Sequence, residues 1–376
     1  MEYDYLVVGA GFFGSVIAER IANDLDLSVL VIDKRSHIGG NCHSEIDPET
    51  GIEFHTYGTH IFHTSSSEVW HYINQFTEFN GYHHQVLTTY KDKVYQMPIN
   101  LETINSFYNL NLKPFEAKKF LKNEIEKEGI KEPKNLEEKA ISLIGRPLYD
   151  AFIKGYTIKQ WDKDPRELPP NIITRLPMRY DYREDYFLNA RWQGIPLKGY
   201  TRVFEKLLDS PNINVKFNCD YFKYKNEFEV RRKTIYSGPI DRFFDYRYGK
   251  LEWRSISLEK QVVDVDDYQG TSVMNYADPE TNFTRIHEPR HLHPERKYSN
   301  HNSVIFIETA NQNAGEPYYP IETEGNRELF QKYRALSEGE EKVIIGGRLG
   351  DYSYYDMDQA ILTALKYYKE IIAKDK

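Results

Sequence analysis

Tyr5-Leu6-Val7-Val8-Gly9-Ala10-Gly11-Phe12-Phe13-Gly14, with the second apolar run from Ser28 to Ile32 that ends at Asp33, decides the fold of this chain. An apolar stretch of strand character runs straight into G-x-G-x-x-G. Phe13, Val16, Ile17 and Ile21 then recur at helical spacing. Strand, glycine turn, helix, second strand and terminal acid together form the fingerprint of a dinucleotide-binding βαβ unit. Gly9 allows the tight turn, Gly11 lets a pyrophosphate approach the backbone, and Gly14 lets helix and strand pack closely. The helix N-terminus offers free N–H groups and a partial positive charge to phosphates. Asp33 stands where a ribose hydroxyl needs an acceptor.

Composition narrows the class. A chain of 376 residues has room for two or three domains. The formal charge of −8 argues against a nucleic-acid partner and requires any anionic ligand to meet local arginines. No apolar run reaches the ~18 residues of a membrane span, and Met1-Glu2-Tyr3-Asp4 lacks the basic start of a signal peptide. Cys42 and Cys219 are too few for a disulfide framework. A soluble cytoplasmic protein is expected. The 30 tyrosines exceed the 20 phenylalanines; a ring with a polar tip suits a cleft for sugars, bases and phosphates, and a compositionally biased host gives the same excess.

Beyond Asp33, Gly39-Gly40 provides a second place where backbone can run close to a ligand. A nicotinamide dehydrogenase has no need of that site, whereas an extended FAD does. His60 and His63 follow, and the sequence supplies no further ligands for a metal there. Residues 100–161 turn helical, with a charged, solvated helix at Glu116–Glu128 and a break at Gly145-Arg146-Pro147. Asp162 to Pro170 reads as an exposed, movable loop, with Arg175 just past it. Strands are expected near 214–217, 234–236, 272–276, 284–287, 304–308 and 342–345, and a last helix over 357–372. His291 and His293 read as a solvated strand edge rather than a metal site. The expected architecture is α/β: a discontinuous Rossmann-like FAD-binding domain (1–85, 196–250 and 326–376), a helical insertion domain (100–165, with a mobile loop to 176) and an antiparallel β-sheet domain (86–99, 177–195 and 251–325).

Several segments carry a closer likeness: Ile38-Gly39-Gly40-Asn41, Tyr57-Gly58 with His60-Ile61-Phe62-His63, and Gly155-Tyr156-Thr157 with Lys159-Gln160-Trp161. Glu316-Pro317-Tyr318-Tyr319-Pro320, Gly346-Gly347-Arg348-Leu349 and Tyr354-Tyr355-Asp356-Met357 extend it. With these, the chain resembles the bacterial UDP-galactopyranose mutases. The resemblance implies a redox-neutral interconversion of UDP-galactopyranose and UDP-galactofuranose, supplying galactofuranose for cell-surface glycans. It implies reduced FAD as covalent catalyst, N5 attacking the anomeric carbon and expelling UDP. It also implies a homodimer, with a nicotinamide nucleotide or another reductant as partner.

The same resemblance assigns residues. Arg175 and Arg285 would hold the diphosphate, Tyr319 and Tyr354 would donate hydroxyls to it, and His60 and His63 would face the flavin and sugar. Phe152, Tyr156, Thr157, Trp161 and Tyr186 would form the uridine pocket, with Arg254 nearby, although periodicity alone also places Phe152 in a helix core. Gly9, Gly11, Phe13, Gly14, Asp33 and Lys34 would contact the cofactor, as would Gly40, Asn41, Arg348, Asp356 and Met357; no metal is expected. Thr59, Cys42 and Asp162 depart from the usual family residues, and Thr59, beside His60, bears on sugar selectivity. The competing readings are a mutase for UDP-N-acetylgalactosamine, a net flavin oxidoreductase of the amine-oxidase type, and a flavin-binding regulatory module.

Overall fold

The computed structural model describes residues 2–173, 178–299, 301–311 and 316–374, apart from the side chain of Asn171. Strand β1 (Glu2–Val8) is the middle of a five-stranded parallel sheet. On one side it pairs with β2 (Val29–Ile32), which pairs in turn with Ile213–Lys216. On the other it pairs with Glu229–Tyr236 and then Val343–Ile345. A parallel sheet is covered on both faces, which is why all four residues of β2 are apolar and buried. The register Tyr5↔Val29 through Val8↔Ile32 brings the glycine turn and Asp33 to the carboxyl edge, where open parallel sheets bind ligands. Helix α1 (Phe12–Leu25) buries Val16, Ile17, Ala18 and Ile21 against Ile361, Ala364 and Leu365 of the helix Met357–Tyr367. The expected α/β class holds, with the parallel sheet assembled from three separated stretches of chain.

A six-stranded sheet runs in the order Ile256–Val263, Ser303–Ala310, Arg285–His287, Val273–Tyr276, Val86–Tyr90, Lys93–Met97. It is not wholly antiparallel as expected: Val273–Tyr276 and Val86–Tyr90 pair in parallel. A parallel pair needs a long crossover, and here the helical unit and much of the first sheet lie between the two strands. The eight-residue edge strand Ile256–Val263 has no counterpart among the expected strands, because Glu259, Lys260 and Gln261 mask its strand character; the charges on Glu259 and Lys260 keep an edge from pairing with another chain.

The helical unit joins Leu101–Tyr108, Pro114–Glu126, Leu136–Ile144 and a run from Arg146 to Trp161 around Leu121, Ala140, Ile141 and Leu148. Within that run Tyr149–Lys154 widens to a π-helix. The loop at 162–170 is exposed at Asp162, Lys163, Arg166, Glu167 and Pro169, as expected, but it is also anchored. Leu168 (5 % exposed) and Ile173 (6 %) insert into the helical core, and Leu136 N donates to Leu168 O at 2.8 Å. Apolar anchors inside the proline-rich stretch outweigh its loop-like composition. His291 likewise sits on a 3₁₀ turn (Pro289–Leu292), followed by a buried His293, and not on a solvated strand edge. Among the described residues no helix is long and apolar enough to cross a membrane.

Candidate active site

A cavity of about 880 Å³ opens at the carboxyl edge of the parallel sheet and reaches Val273, Asn275 and Arg285 of the six-stranded sheet. Its volume is typical of sites for sizeable ligands, roughly 300–1,000 Å³. At the sheet end the backbone is bare by necessity. Gly9 has φ +107°. A Cβ on Gly14 would stand 2.0 Å from Gly9 O. Gly11 and Gly40 face each other so closely that a Cβ on Gly40 would lie 3.1 Å from Gly11 Cα. Asp33, buried, accepts from Ala10 N and from Arg35 N, each at 2.9 Å. Its carboxylate thus ties down the glycine turn as well as lining the cavity. Phe13 packs edge-on to Tyr367 beneath Gly346-Gly347, so it supports the cradle mainly by packing. Lys34 and Arg35 both reach Glu316, at 2.7 and 3.2 Å, and Arg35 also donates to Asn41 Oδ1 and stacks over Tyr57.

The far end is lined by imidazoles. His60 Nδ1 donates to Gly58 O at 2.6 Å, which leaves Nε2 as an acceptor in the neutral ring. Burial pulls its pKa down to about 4. His63 stacks on Phe187 at 3.7 Å, and its Nε2 lies 3.9 Å from the Asp356 carboxylate. Burial lowers its pKa against the opposing pull of Asp356. Asp356 caps the helix that begins at Met357, and both line the cavity. His84, missed in the sequence because nothing local marks it, is buried, bonds Tyr82 and is pushed down to about 3.

In the unfolded chain such imidazoles protonate near 6.5, whereas His60 and His84 stay neutral in the fold until about 4 and about 3. The unfolded chain therefore binds more protons below 6.5, and stability is lost as pH falls from there. The melting temperature is expected to drop between pH 6.5 and 4, and His84→Gln to flatten the drop; an unchanged slope in that variant would count against His84 as a source.

Arg285 occupies the wall between the two ends. Its Nε lies 3.3 Å from Glu308 Oε1 and its Nη2 hydrogen-bonds the Tyr156 hydroxyl. Glu308 also takes His287 Nε2 at 2.9 Å, and His287 Nδ1 meets Thr59 Oγ1 at 2.8 Å. Burial would raise the Glu308 carboxyl, but the Arg285 charge and the His287 hydrogen bond hold it down at about 2. Arg348 lies 4.9 Å from the ring centres of both Tyr319 and Tyr354, which stack on each other at 5.3 Å. Burial raises both tyrosines, so their hydroxyls keep their protons and can donate. Arg348 Nε is buried with no hydrogen-bond partner among the described residues.

Tyr186 lines the cavity, and Tyr156 reaches it through Arg285. Phe152 does not: its ring is 4 % exposed and packs on Tyr95, Phe107 and Tyr90, so the helix-core alternative describes it. Thr157 is buried, and Trp161 lies under the Arg254 guanidinium, 3.2 Å from ring centre to Cζ. Burial lowers Arg254 to about 10, and its Nε has no hydrogen-bond partner among the described residues. Arg175 lies outside the described residues. Lys159 serves structure, donating to Tyr276 O, Asp278 O and Thr281 Oγ1 at 2.6–2.8 Å. Asp267, Glu288 and His291 bring one ligand atom each within 4.8 Å, yet the Glu288 carboxylate already accepts from Tyr268 N, Gln269 N and Ser303 Oγ.

A family model described as UDP-galactopyranose mutase matches residues 151–354, and one described as an NAD(P)-binding Rossmann-like domain matches 7–76. A probable UDP-galactopyranose mutase of Klebsiella pneumoniae is 41 % identical over 98 % of this chain and 94 % of its own. A dTDP-fucopyranose mutase of Escherichia coli is 37 % identical over 99 % of both. The crystal structure of a reduced UDP-galactopyranose mutase superposes with a TM-score of 0.78 at 14 % identity, covering 99 % of this chain and 96 % of that one, a likeness of fold. Sequence relatives matched over nearly the whole chain, and a family model covering more than half of it, place this protein in the UDP-galactopyranose mutase family.

Proposed function

We propose that this protein interconverts UDP-galactopyranose and UDP-galactofuranose on reduced FAD, with no net redox change. The observation that carries the reading is one continuous cavity joining a dinucleotide cradle to Arg285 and Arg348. The cradle fits FAD: Gly11 and Gly40 meet backbone to backbone, so the surface at the helix N-terminus carries no side chain where a pyrophosphate would lie. When bound and reduced, the flavin supplies the nucleophilic nitrogen for the anomeric carbon. The chain supplies the rest. Arg285 and Arg348 neutralise the departing diphosphate, and Tyr319 and Tyr354 donate to it. Arg175 joins them in this reading. His60, neutral with Nε2 open, accepts a proton or hydrogen bond beside the reacting carbon. Tyr156, Trp161 and Tyr186 flank the uracil, while Phe152, packed on Tyr95, Phe107 and Tyr90, supports the helix that carries Tyr156. A nicotinamide nucleotide as reductant, a homodimer and a cytoplasmic site accompany this reading.

The fucopyranose mutase relative, similar over the whole length, gives one specific alternative: a 6-deoxysugar on a thymidine nucleotide. Dithionite-reduced protein should convert UDP-galactofuranose to UDP-galactopyranose, the oxidised protein should not, and the flavin spectrum should be the same before and after. Faster turnover of dTDP-fucose or UDP-N-acetylgalactosamine would move the substrate. Flavin reduction driven by substrate would replace the mutase reading with a net oxidoreductase.

A further inference from the structure

Thr59 lies on the cavity wall between the cradle and Arg285, and its hydroxyl begins a relay that ends at that arginine. The relay has a direction whenever the His287 ring carries a single proton. Glu308, kept as a carboxylate beside Arg285, can only accept, so His287 Nε2 carries the proton that it donates at 2.9 Å. In the neutral ring Nδ1 is then an acceptor, and the hydroxyl 2.8 Å away must be the donor. His287 is 3 % exposed and Glu308 4 %, so neither turns to water to relax this order. Thr59, less buried, thus gives its single proton to His287 and presents only lone pairs to the cavity.

We propose that the Thr59–His287 pair is a sugar-selecting element, in which Thr59 Oγ accepts a hydrogen bond from one hydroxyl of the hexosyl group. The proposal rests on the mutase reading, since it places the hexose between the diphosphate at Arg285 and the cofactor. A hydroxyl free to rotate would serve donors and acceptors alike; one committed to His287 rewards a donor and penalises a carbon that lacks it. The Thr59 methyl, close to the size of a hydroxyl, cannot replace that contact. Thr59 and His287 act on which sugar is held, and Glu308 acts through both His287 and Arg285 to position them.

The test compares UDP-galactose with its 2-, 3- and 6-deoxy analogues on reduced wild-type, Thr59→Val and Thr59→Ser proteins, with UDP affinity measured separately by equilibrium binding. Thr59→Val is expected to lower kcat/KM for UDP-galactose about tenfold, the worth of one neutral hydrogen bond. It should leave one deoxy analogue unaffected, so that the wild-type preference against that analogue disappears. UDP affinity should stay constant, and Thr59→Ser should restore the preference. An equal fall for every substrate, or a parallel loss of UDP affinity, would overturn the proposal and leave Thr59 a structural residue. Absence of UDP binding by the wild-type protein would overturn the mutase reading first, and this inference with it.

Discussion

Arg285→Ala is expected to reduce kcat/KM by roughly 10²–10³-fold, the loss of a charge-assisted contact that strengthens as a diphosphate departs. The protein is acidic overall, with a formal charge of −8, so no general field replaces the missing cation. The variant carries a second cost. Glu308, 4 % exposed, would be left as a buried carboxylate without its guanidinium, and breaking such a pair costs about 3–5 kcal/mol. A fall in activity alone would then confuse catalysis with folding. The double variant Arg285→Ala/Glu308→Gln separates them: it should recover most of the lost melting temperature and none of the lost turnover. Arg285→Lys keeps the charge but not the fork that reaches Glu308 and Tyr156 together, and should fall between. Should Arg285→Ala stay within tenfold of wild type, with UDP affinity intact, the diphosphate must be held elsewhere.

What the sequence discloses of this fold is what local periodicity can carry. β1, α1 and β2 follow one another within the first 32 residues, so apolar spacing and three glycines define them completely. The strand Ile256–Val263 is invisible by the same logic, because its partner Ser303–Ala310 supplies the burial that its own charges hide. The parallel pairing of Val86–Tyr90 with Val273–Tyr276 joins residues far apart in the chain, and no local pattern encodes it. The site divides in the same way. Its cofactor cradle is a matter of glycine spacing, whereas the relay of Thr59, His287 and Glu308 exists only after two sheets meet. One clue was available: Glu308 is a lone acid in the apolar strand Ser303-Val304-Ile305-Phe306-Ile307, and a charge there needs a buried partner. Lys159 shows the opposite error risk, a residue inside a distinctive motif whose three hydrogen bonds fasten a helix to a turn.

Two alanine substitutions three residues apart should fail in different ways, and the difference tests the cradle itself. Gly14→Ala sets its methyl 2.0 Å from Gly9 O and 3.0 Å from Val7 Cγ1. Backbone cannot swing aside as a side chain does, so α1 must lift from β1, and destabilisation of about 3 kcal/mol or more is expected with or without cofactor. Gly11→Ala meets no protein atom closer than 3.8 Å, and Gly11 has an ordinary φ of −84°. The apoprotein should therefore fold with its melting temperature unchanged. Its methyl would stand on the bare backbone surface shared with Gly40, so FAD affinity should fall on the order of a hundredfold as phosphate contacts to the helix N-terminus are lost. The flavin-to-protein absorbance ratio after gel filtration, and the rise in melting temperature on adding FAD, measure this directly. Stoichiometric flavin in Gly11→Ala would mean that the pyrophosphate does not lie against the two glycine loops. A wild-type melting temperature in Gly14→Ala would mean that the helix has slack at that contact. Only close packing at one glycine and close ligand approach at the other make the two variants part company.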